Sequence, residues 1–449
     1  MGEVARRERG APHFGRIRAG LSPRFSLAHA RGVTPTSKPK TSLGKDRIQV
    51  LLVEGVHPSA VELFHAEGYT HVETHAKALP EAHLVALLAD THILGIRSRT
   101  QLSARVLEQA PKLIAVGAFC IGTNQVDLDS AEALGIPVFN APFSNTRSVA
   151  EMVVAEVVLL LRGIPAKSAA AHRGEWVKSA AGAREARGKV LGIVGYGHIG
   201  TQAGLLAEAL GMQVVYHDVV SKLALGNATP VRTLDALLER ADVVTLHVPD
   251  TQQTRLLIGK RQLARMKAGA ALINASRGSV VDLDALAEAL ESGHVSGAAV
   301  DVFPHEPESN DEVFATPLAR FDNVILTPHV GGSTEEAQDN IGREVAEKLL
   351  RYSDNGSTLT SVNFPEVSLP AHAGKHRLLH IHRNRPGMLS AVNEVFSSHG
   401  VNVAAEYLQT TSRIGYVVID VDPAGHDDTR ALRRDLDAID GTIRTRLLY

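Results

Sequence analysis

Three residues with complementary chemistry follow one another in the second half of this 449-residue chain: Arg277, Glu306 and His329. An arginine can hold a carboxylate in a two-pronged hydrogen bond. An imidazole can take or give a hydroxyl proton, and a neighbouring acid orients it and favours its protonated form. The three residue types together predict a site for hydride transfer to or from a 2-hydroxy acid.

A glycine-rich segment upstream of these residues has the pattern of a dinucleotide-binding turn. Gly195-Tyr-Gly197-His-Ile-Gly200 follows an apolar run at 189–194 and opens a helical pattern, and Asp218 comes 18 residues after Gly200. The glycines permit a tight turn, close approach of a pyrophosphate and close helix packing. Asp218 suits ribose hydroxyls and would repel a 2′-phosphate, so NAD is favoured over NADP. The alternatives are glycines that only pack a turn and an aspartate that only caps a helix.

The composition describes a globular protein with two or three domains. Hydrophobic residues make up 44% and charged residues 21%, and the net charge of −2 indicates no nucleic-acid partner. The single cysteine, Cys120, excludes an internal disulfide and a cysteine-based zinc site. We therefore expect no metal and a reducing cytoplasm. The longest apolar run, 149–161, contains two glutamates and is too short to span a bilayer.

The first 47 residues differ from the rest in charge, with 11 Lys and Arg against three Asp and Glu. They are rich in Pro, Ser and Gly and lack periodicity, so we predict that residues 1–44 form a disordered basic extension. The alternatives are a translation start assigned too early, with the true start near Val33 or Leu43, an organelle transit peptide and, least favoured, a nucleic-acid-binding tail.

From residue 47 onward, apolar runs alternate with helical patterns, which predicts parallel sheets flanked by helices. The predicted strands of a first unit are 48–53, 92–96, 112–116 and 137–139. Those of a second, doubly wound unit are 189–194, 213–217, 242–247, 270–274, 297–300 and 323–326. Capping boxes predict helices that begin after Ser148, with Glu151, and after Ser333, with Glu336. Residues 353–375 are polar and indicate a linker.

The last 73 residues form a separate pattern. Strands at 377–383, 401–411, 414–422 and 442–448 and helices at 387–399 and 427–439 are predicted. This order, βαββαβ, is ferredoxin-like. Its size suits a module that senses a small molecule or pairs with another copy.

These motifs resemble those of the D-isomer-specific 2-hydroxyacid dehydrogenase family. The resemblance runs from about residue 38 to the end and includes the strings Cys120-Ile-Gly-Thr-Asn-Gln-Val-Asp127 and Thr327-Pro-His-Val-Gly-Gly332. It implies a discontinuous substrate-binding domain, a Rossmann NAD-binding domain between its two parts and a terminal regulatory module similar to an ACT domain. The implied bounds are 45–144 with 333–374, then 145–332, then 375–449.

The same resemblance implies roles for individual residues. Arg277 would bind the substrate carboxylate, and Glu306 would partner the acid–base residue His329. The implied NAD contacts are Gly195, Gly197, His198, Ile199, Gly200, Asp218, Ala275, Ser276, Arg277, Asp301, His329, Gly331 and Gly332. The implied contacts to a phosphorylated substrate are Arg97, Ser98, Arg99, Asn124 and Lys178. An effector site across two paired ACT modules would use His382, Asn384, Arg385, Asn402 and Val403.

The activity that the resemblance implies is NAD-dependent oxidation of 3-phospho-D-glycerate to 3-phosphohydroxypyruvate, at the start of serine synthesis. Inhibition by L-serine, a homotetramer and a side reaction that reduces 2-oxoglutarate are expected with it. Gly331-Gly332 is a hinge candidate, or else a turn that needs positive φ. Trp176 is expected to be an intersubunit plug, or else a core residue.

Two other functions compete with this expectation. The chain could be a dehydrogenase of another D-2-hydroxy acid without phosphate, against which the basic residues Arg97 and Arg99 argue. It could also be an NAD-sensing binding protein on the same fold. The complete set of arginine, glutamate and histidine and the terminal module argue against that.

Overall fold

The computed structural model describes residues 43–307, 312–372, 375–422 and 426–448. Two parallel α/β sheets and a C-terminal antiparallel sheet are present, which confirms the predicted fold class. The predicted disordered extension lies almost wholly outside the described residues. Within the described part of the chain, no helix is long and apolar enough to cross a membrane.

The first parallel sheet has the strand order β2-β1-β3-β4-β5, which is flavodoxin-like. Its strands are β1 (Gln49–Leu52), β2 (His71–Thr74), β3 (Ile93–Ile96), β4 (Ala115–Ala118) and β5 (Val138–Asn140). Its helices are α1 (Pro58–Ala66), α2 (Glu81–Leu88), α3 (Ala104–Glu108) and α4 (Leu128–Ala133). The sequence prediction missed β2 because this edge strand is polar and largely exposed.

The second parallel sheet has the order β12-β11-β10-β9-β6-β7-β8, a doubly wound arrangement with its switch point between β6 and β9. Its strands are β6 (Val190–Val194), β7 (Gln213–His217), β8 (Thr229–Pro230), β9 (Val243–Leu246), β10 (Ala270–Asn274), β11 (Val295–Val300) and β12 (Val324–Leu326). Its helices are α5 (Thr146–Leu161), α6 (Ile164–His172), α7 (His198–Ala209), α8 (Leu234–Leu238), α9 (Lys260–Arg265) and α10 (Leu283–Glu291). The short, exposed β8 was not predicted.

Both predicted helix caps are wrong in position. Helix α5 is preceded by Asn145, so Ser148 lies in its first turn, where the Ser148 hydroxyl is 2.9 Å from that of Thr334. Helix α11 spans Glu335–Asn355, and Thr334 rather than Ser333 is its N-cap, accepting a hydrogen bond from Ala337 N. The runs Ser144-Asn-Thr-Arg-Ser148 and Ser333-Thr334 each offer several candidate caps, and only the surrounding structure selects one.

The C-terminal module has the predicted βαββαβ order. Its antiparallel sheet runs β14-β15-β13-β16. The elements are β13 (His376–Arg383), α12 (Met388–Ser398), β14 (Val403–Thr410), β15 (Ile414–Val421), α13 (His426–Asp437) and β16 (Thr442–Leu448). One sheet face packs on α12 and α13, and the other shares a hydrophobic core with the first domain.

The predicted linker is packed between these parts rather than exposed. Ser357 and Thr358 are buried. The fully buried guanidinium of Arg377 on β13 pairs with Asp420 through bonds of 2.6 and 2.7 Å, and it donates to the carbonyls of Asn355 and Pro370. The polar composition of the segment therefore reflects side chains and carbonyls that are bonded inside the fold.

We predict that Arg377→Met lowers the free energy of unfolding by about 3–5 kcal/mol, because Asp420 would be left buried without its partner. Arg343→Met is the matched control. It breaks an exposed ion pair with Asp339 on α11, so its effect on the free energy of unfolding should be much smaller. Urea unfolding followed by circular dichroism measures both, and equal effects would contradict a structural role for the buried pair.

Candidate active site

Loops at one edge of the second sheet carry Arg277, Glu306 and His329. Arg277 follows β10, Glu306 follows β11 and His329 follows β12, and these strands are parallel neighbours. The loops therefore meet at the carboxyl edge, where open α/β sheets bind their ligands. The three residues are far apart in the sequence but lie near one another because each follows a neighbouring parallel strand.

His329 and Glu306 form a hydrogen-bonded pair, with 2.9 Å between His329 Nδ1 and Glu306 Oε2. This bond is the main reason why the pKa of His329 is raised above its usual value, and the charge of Glu306 adds to it. Burial would raise the pKa of Glu306, but the hydrogen bond and the positive charges of His329 and Arg277 lower it overall. With Nδ1 engaged, Nε2 is the nitrogen left to face a substrate.

The loop that carries His329 is anchored by Asp301, which is 3% exposed. Its carboxylate accepts hydrogen bonds from Thr327 Oγ1 at 2.6 Å, Val330 N at 2.9 Å and Gly331 N at 2.9 Å. His329 itself has a φ of 56°, a left-handed conformation that residues with a Cβ rarely adopt. Asp301 was expected only as an NAD contact, and an anchoring role was not foreseen.

The loop that carries Arg277 is fastened by Asn274, whose side chain bonds Arg277 O, Ser276 N and Ser276 Oγ. Gly278 then lies so close to the backbone of Phe303 that an added Cβ would come within 2.0 Å of its carbonyl carbon. A glycine at 278 therefore lets the Arg277 loop pack against the loop of Glu306. Sequence reasoning missed both Asn274 and Gly278, and a glycine directly after the arginine was the one available signal.

The glycine-rich turn has the geometry that a dinucleotide needs. Gly195 has a φ of 90°, and an added Cβ would lie 2.6 Å from His247 O. Gly200 would place a Cβ 2.4 Å from Gly195 O, whereas no described residue beyond its chain neighbours lies within 4 Å of the corresponding position at Gly197. Gly197 therefore leaves open space at the N-terminus of α7, whose amide groups suit a pyrophosphate.

Asp218 lies beside this turn, at the end of β7. Its carboxylate accepts from Tyr196 N and Val220 N, each at 2.9 Å. One carboxylate oxygen thus holds the glycine-rich turn through Tyr196, and the other holds the segment that follows Asp218. His198 is exposed and its ring lies tilted by 50° against the Phe143 ring, with 4.1 Å between the ring centres. These residues fit NAD.

On the first domain, Arg97, Ser98 and Arg99 follow β3, and Arg97 is half-buried while the other two are exposed. Burial raises the pKa of the nearby Cys120 thiol, and a hydrogen bond from Gln125 and the charges of Arg97 and Arg277 oppose the rise. The charges of Arg97, on the first domain, and of Arg277, on the second, therefore both act on the Cys120 thiol. Asn124, in the loop after Cys120, is exposed.

Lys178 is not brought to this site within one chain. Its neighbours Val177 and Ser179 line a groove with Gly269, Ser296 and Asn323, which lie at the amino ends of the strands. The alternative of Trp176 as a core residue is wrong, since 85% of the residue is exposed. A role for Lys178 at this site would therefore require a second copy of the chain.

The two glycines after His329 are required for space rather than for positive φ. Neither has a positive φ, which rules out that alternative. An added Cβ at Gly331 would lie 2.9 Å from the Met152 side chain, and one at Gly332 would lie 2.2 Å from Asn145 Nδ2. The loop thus packs directly against α5 and the residue before it, at the junction of the two α/β domains.

The predicted effector residues are divided between the two ends of the ACT sheet. Asn384 donates to Thr411 O at one end. Asn402 donates to Asp422 at the other, beside the start of β13. Eight residues of strand separate these ends, roughly 25 Å. His382 is buried, with 3.2 Å between its Nδ1 and Nδ1 of His380. Arg385 forms an ion pair with Asp440. One module alone therefore does not assemble the set.

Sequence models of known families match two parts of the chain. The one described as D-isomer specific 2-hydroxyacid dehydrogenase, NAD binding domain, matches residues 154–331. The one described as AHAS small subunit-like ACT domain matches residues 378–444. The first match contains the glycine-rich turn and all three chemical residues, and the second lies within the antiparallel module.

Curated relatives match along nearly the whole chain. A D-3-phosphoglycerate dehydrogenase of Escherichia coli (strain K12) is 60% identical over 410 residues, which cover 91% of this chain and 100% of the relative. One of Dictyostelium discoideum is 46% identical over 411 residues, 92% and 100% of the two chains. Among solved structures, D-lactate dehydrogenase from Aquifex aeolicus, complexed with NAD and lactic acid, is 27% identical with a TM-score of 0.62, over 71% of this chain and 100% of that one.

We predict that His329 titrates above the usual histidine value of about 6.5 and that Glu306→Gln moves the titration to lower pH. The neutral amide can no longer stabilise the protonated ring, so the proton is lost at lower pH. NMR of ¹³C-labelled histidine measures the shift, with assignment by His329→Asn. Glu291→Gln, in an exposed ion pair with Arg320, is the control. An unshifted titration in Glu306→Gln would refute the coupling.

Proposed function

The chain belongs to the D-isomer-specific 2-hydroxyacid dehydrogenase family, and we propose that it oxidises 3-phospho-D-glycerate to 3-phosphohydroxypyruvate with NAD. The observation that carries the proposal is the 2.9 Å bond between His329 and Glu306, in loops that also present Arg277. The identity of 60% to a D-3-phosphoglycerate dehydrogenase over 91% of the chain supports the choice of substrate. The reaction would begin L-serine synthesis, and we expect it in the cytoplasm.

The substrate has an anionic group at each end, and the site has cations on both sides. Arg277 would hold the carboxylate in a bidentate bond, which fixes the C2 hydroxyl near His329. Arg97 and Arg99 on the opposite domain would hold the phosphate. Binding of one molecule by both domains would favour a closed cleft, and closure would exclude water from the reacting atoms.

His329 would act as the base in the oxidation. Its neutral Nε2 accepts the proton of the C2 hydroxyl, and Glu306 then stabilises the imidazolium through Nδ1. When bound, NAD supplies the acceptor for the hydride that leaves C2. Because the pKa of His329 is raised, oxidation gains rate as pH rises through that raised value, and the reverse reduction loses rate over the same range.

We further propose that L-serine inhibits the enzyme at paired ACT modules of a homotetramer. Asn384 of one module and Asn402 of another would meet across the pair, because within one module they lie at opposite ends of the sheet. The exposed Trp176 and Lys178 would contact a second copy at another interface. Reduction of 2-oxoglutarate, which also has two anionic ends, is a proposed side activity.

An unphosphorylated 2-hydroxy acid is the second candidate substrate class. The observation that favours it is the likeness to a solved D-lactate dehydrogenase, which covers 71% of this chain. An NAD-sensing protein without activity would have no need of the His329–Glu306 pair.

The test is the rise in NADH absorbance with purified protein, NAD and 3-phospho-D-glycerate, with D-lactate as the comparison substrate. We expect turnover with the phosphorylated acid, suppression by L-serine, and a loss of about 100-fold or more in His329→Ala, because general base catalysis supplies that much. Turnover that ignores L-serine would refute the effector proposal alone. Absence of turnover in both directions would refute the substrate.

A further inference from the structure

A buried glutamate organises the loop that presents Arg97 and Arg99. Glu54 lies two residues after β1 and is 9% exposed. Its Oε1 accepts from Arg97 N at 3.1 Å and from Thr100 N at 2.8 Å, and its Oε2 accepts from Arg99 N at 2.9 Å. One carboxylate thus bonds three backbone N–H groups of a four-residue loop.

These bonds leave the two guanidinium groups available. The carboxylate of Glu54 is occupied by backbone N–H groups, and Arg97 reaches only the Glu54 carbonyl, at 3.5 Å. Among residues 43–307 and the later described segments, no carboxylate forms an ion pair with Arg97 or Arg99. The Glu54 carboxylate therefore bonds the backbone of Arg97 and Arg99 and does not form an ion pair with either guanidinium group.

The same loop is held from its other side by Gln125, which is 3% exposed. Its side-chain amide donates to Arg97 O at 2.7 Å and lies 3.3 Å from both Gly122 O and Cys120 Sγ. The backbone N–H of Arg97 thus donates to Glu54, and the backbone carbonyl of Arg97 accepts from Gln125. The Arg97–Arg99 loop and the loop that contains Asn124 are therefore joined by hydrogen bonds through Gln125.

Glu54 adopts a φ of 68°, which costs energy for a residue with a Cβ. Gly55 follows with a φ of 62°, and the N–H groups of both residues bond the carbonyls of Lys77 and His75. A strained conformation that is held by so many bonds is typical of a functional site. Here its result is to direct one side chain at three N–H groups of a single loop.

We propose that Glu54 is a positioning residue that sets the preference for a phosphorylated over an unphosphorylated substrate. It fixes the backbone positions of Arg97 and Arg99 before any ligand binds, so the backbone of the loop need not be ordered when a phosphate group is recognised. Glu54 does not touch the substrate in this account. The inference rests on the proposed function, because it assigns the phosphate to this loop.

The test compares kcat/KM for 3-phosphohydroxypyruvate and for hydroxypyruvate, with NADH, in the full-length protein and in Glu54→Gln. Gln places an amide N–H₂ where a carboxylate oxygen accepted, so at least one loop N–H group loses its acceptor. The ratio of the two values should fall by about tenfold to 100-fold, since a displacement of about 1 Å can cost that much. The loss should lie mainly in KM for the phosphorylated substrate.

Glu73→Gln is the matched control, because Glu73 lies on β2 of the same sheet and forms an exposed pair with His75. Its ratio should equal that of the unaltered protein. If Glu54→Gln loses equally toward both substrates, or loses nothing, the inference is overturned while the proposed function stands. If the unaltered protein itself shows no preference for the phosphorylated substrate, the proposed function fails and the inference with it.

Discussion

The arrangement of the site depends on one buried carboxylate, that of Asp301 at the end of β11. It bonds the chain on both sides of His329, at Thr327 and at Val330 with Gly331. Its backbone N–H donates to Asn274 O on the neighbouring strand, and Asn274 in turn fastens the loop of Arg277. The imidazole and the guanidinium are therefore positioned through a single connected set of hydrogen bonds, which compensates for the left-handed backbone of His329.

The negative charge of Asp301 helps to raise the pKa values of two neighbouring residues, Glu156 and His329. Burial, followed by the charge of Asp301, raises the pKa of Glu156 on α5 to about 8. At neutral pH Glu156 is then protonated, so Asp301 is not opposed by a second buried negative charge. Asp301 also contributes to the raised pKa of His329, after the larger effects of Glu306 and burial. Asp301, which holds the His329 loop in place, thus also favours the protonated form of His329.

Local sequence patterns predicted the fold class, because strand periodicity and the glycine-rich turn are short-range properties. Helix caps were misplaced because several Ser, Thr and Asn residues compete at the starts of α5 and α11. Glu54 and Gly278 were missed for another reason. Each acts on a loop that is distant in sequence, over 40 residues away for Glu54 and 25 for the Phe303 carbonyl beside Gly278. The glycine after Arg277 is a short-range signal, but a single sequence does not show which distant loop Gly278 or Glu54 contacts.

The most direct test of the account is a crystal structure of the protein with NAD and 3-phospho-D-glycerate bound. The account predicts the substrate carboxylate against Arg277, the phosphate against Arg97 and Arg99, and the C2 hydroxyl within about 3.2 Å of His329 Nε2. The reverse orientation, with phosphate on Arg277, would contradict it, as would a hydroxyl out of reach of His329. Either result would be visible without reference to rates, because the two anionic groups differ in shape.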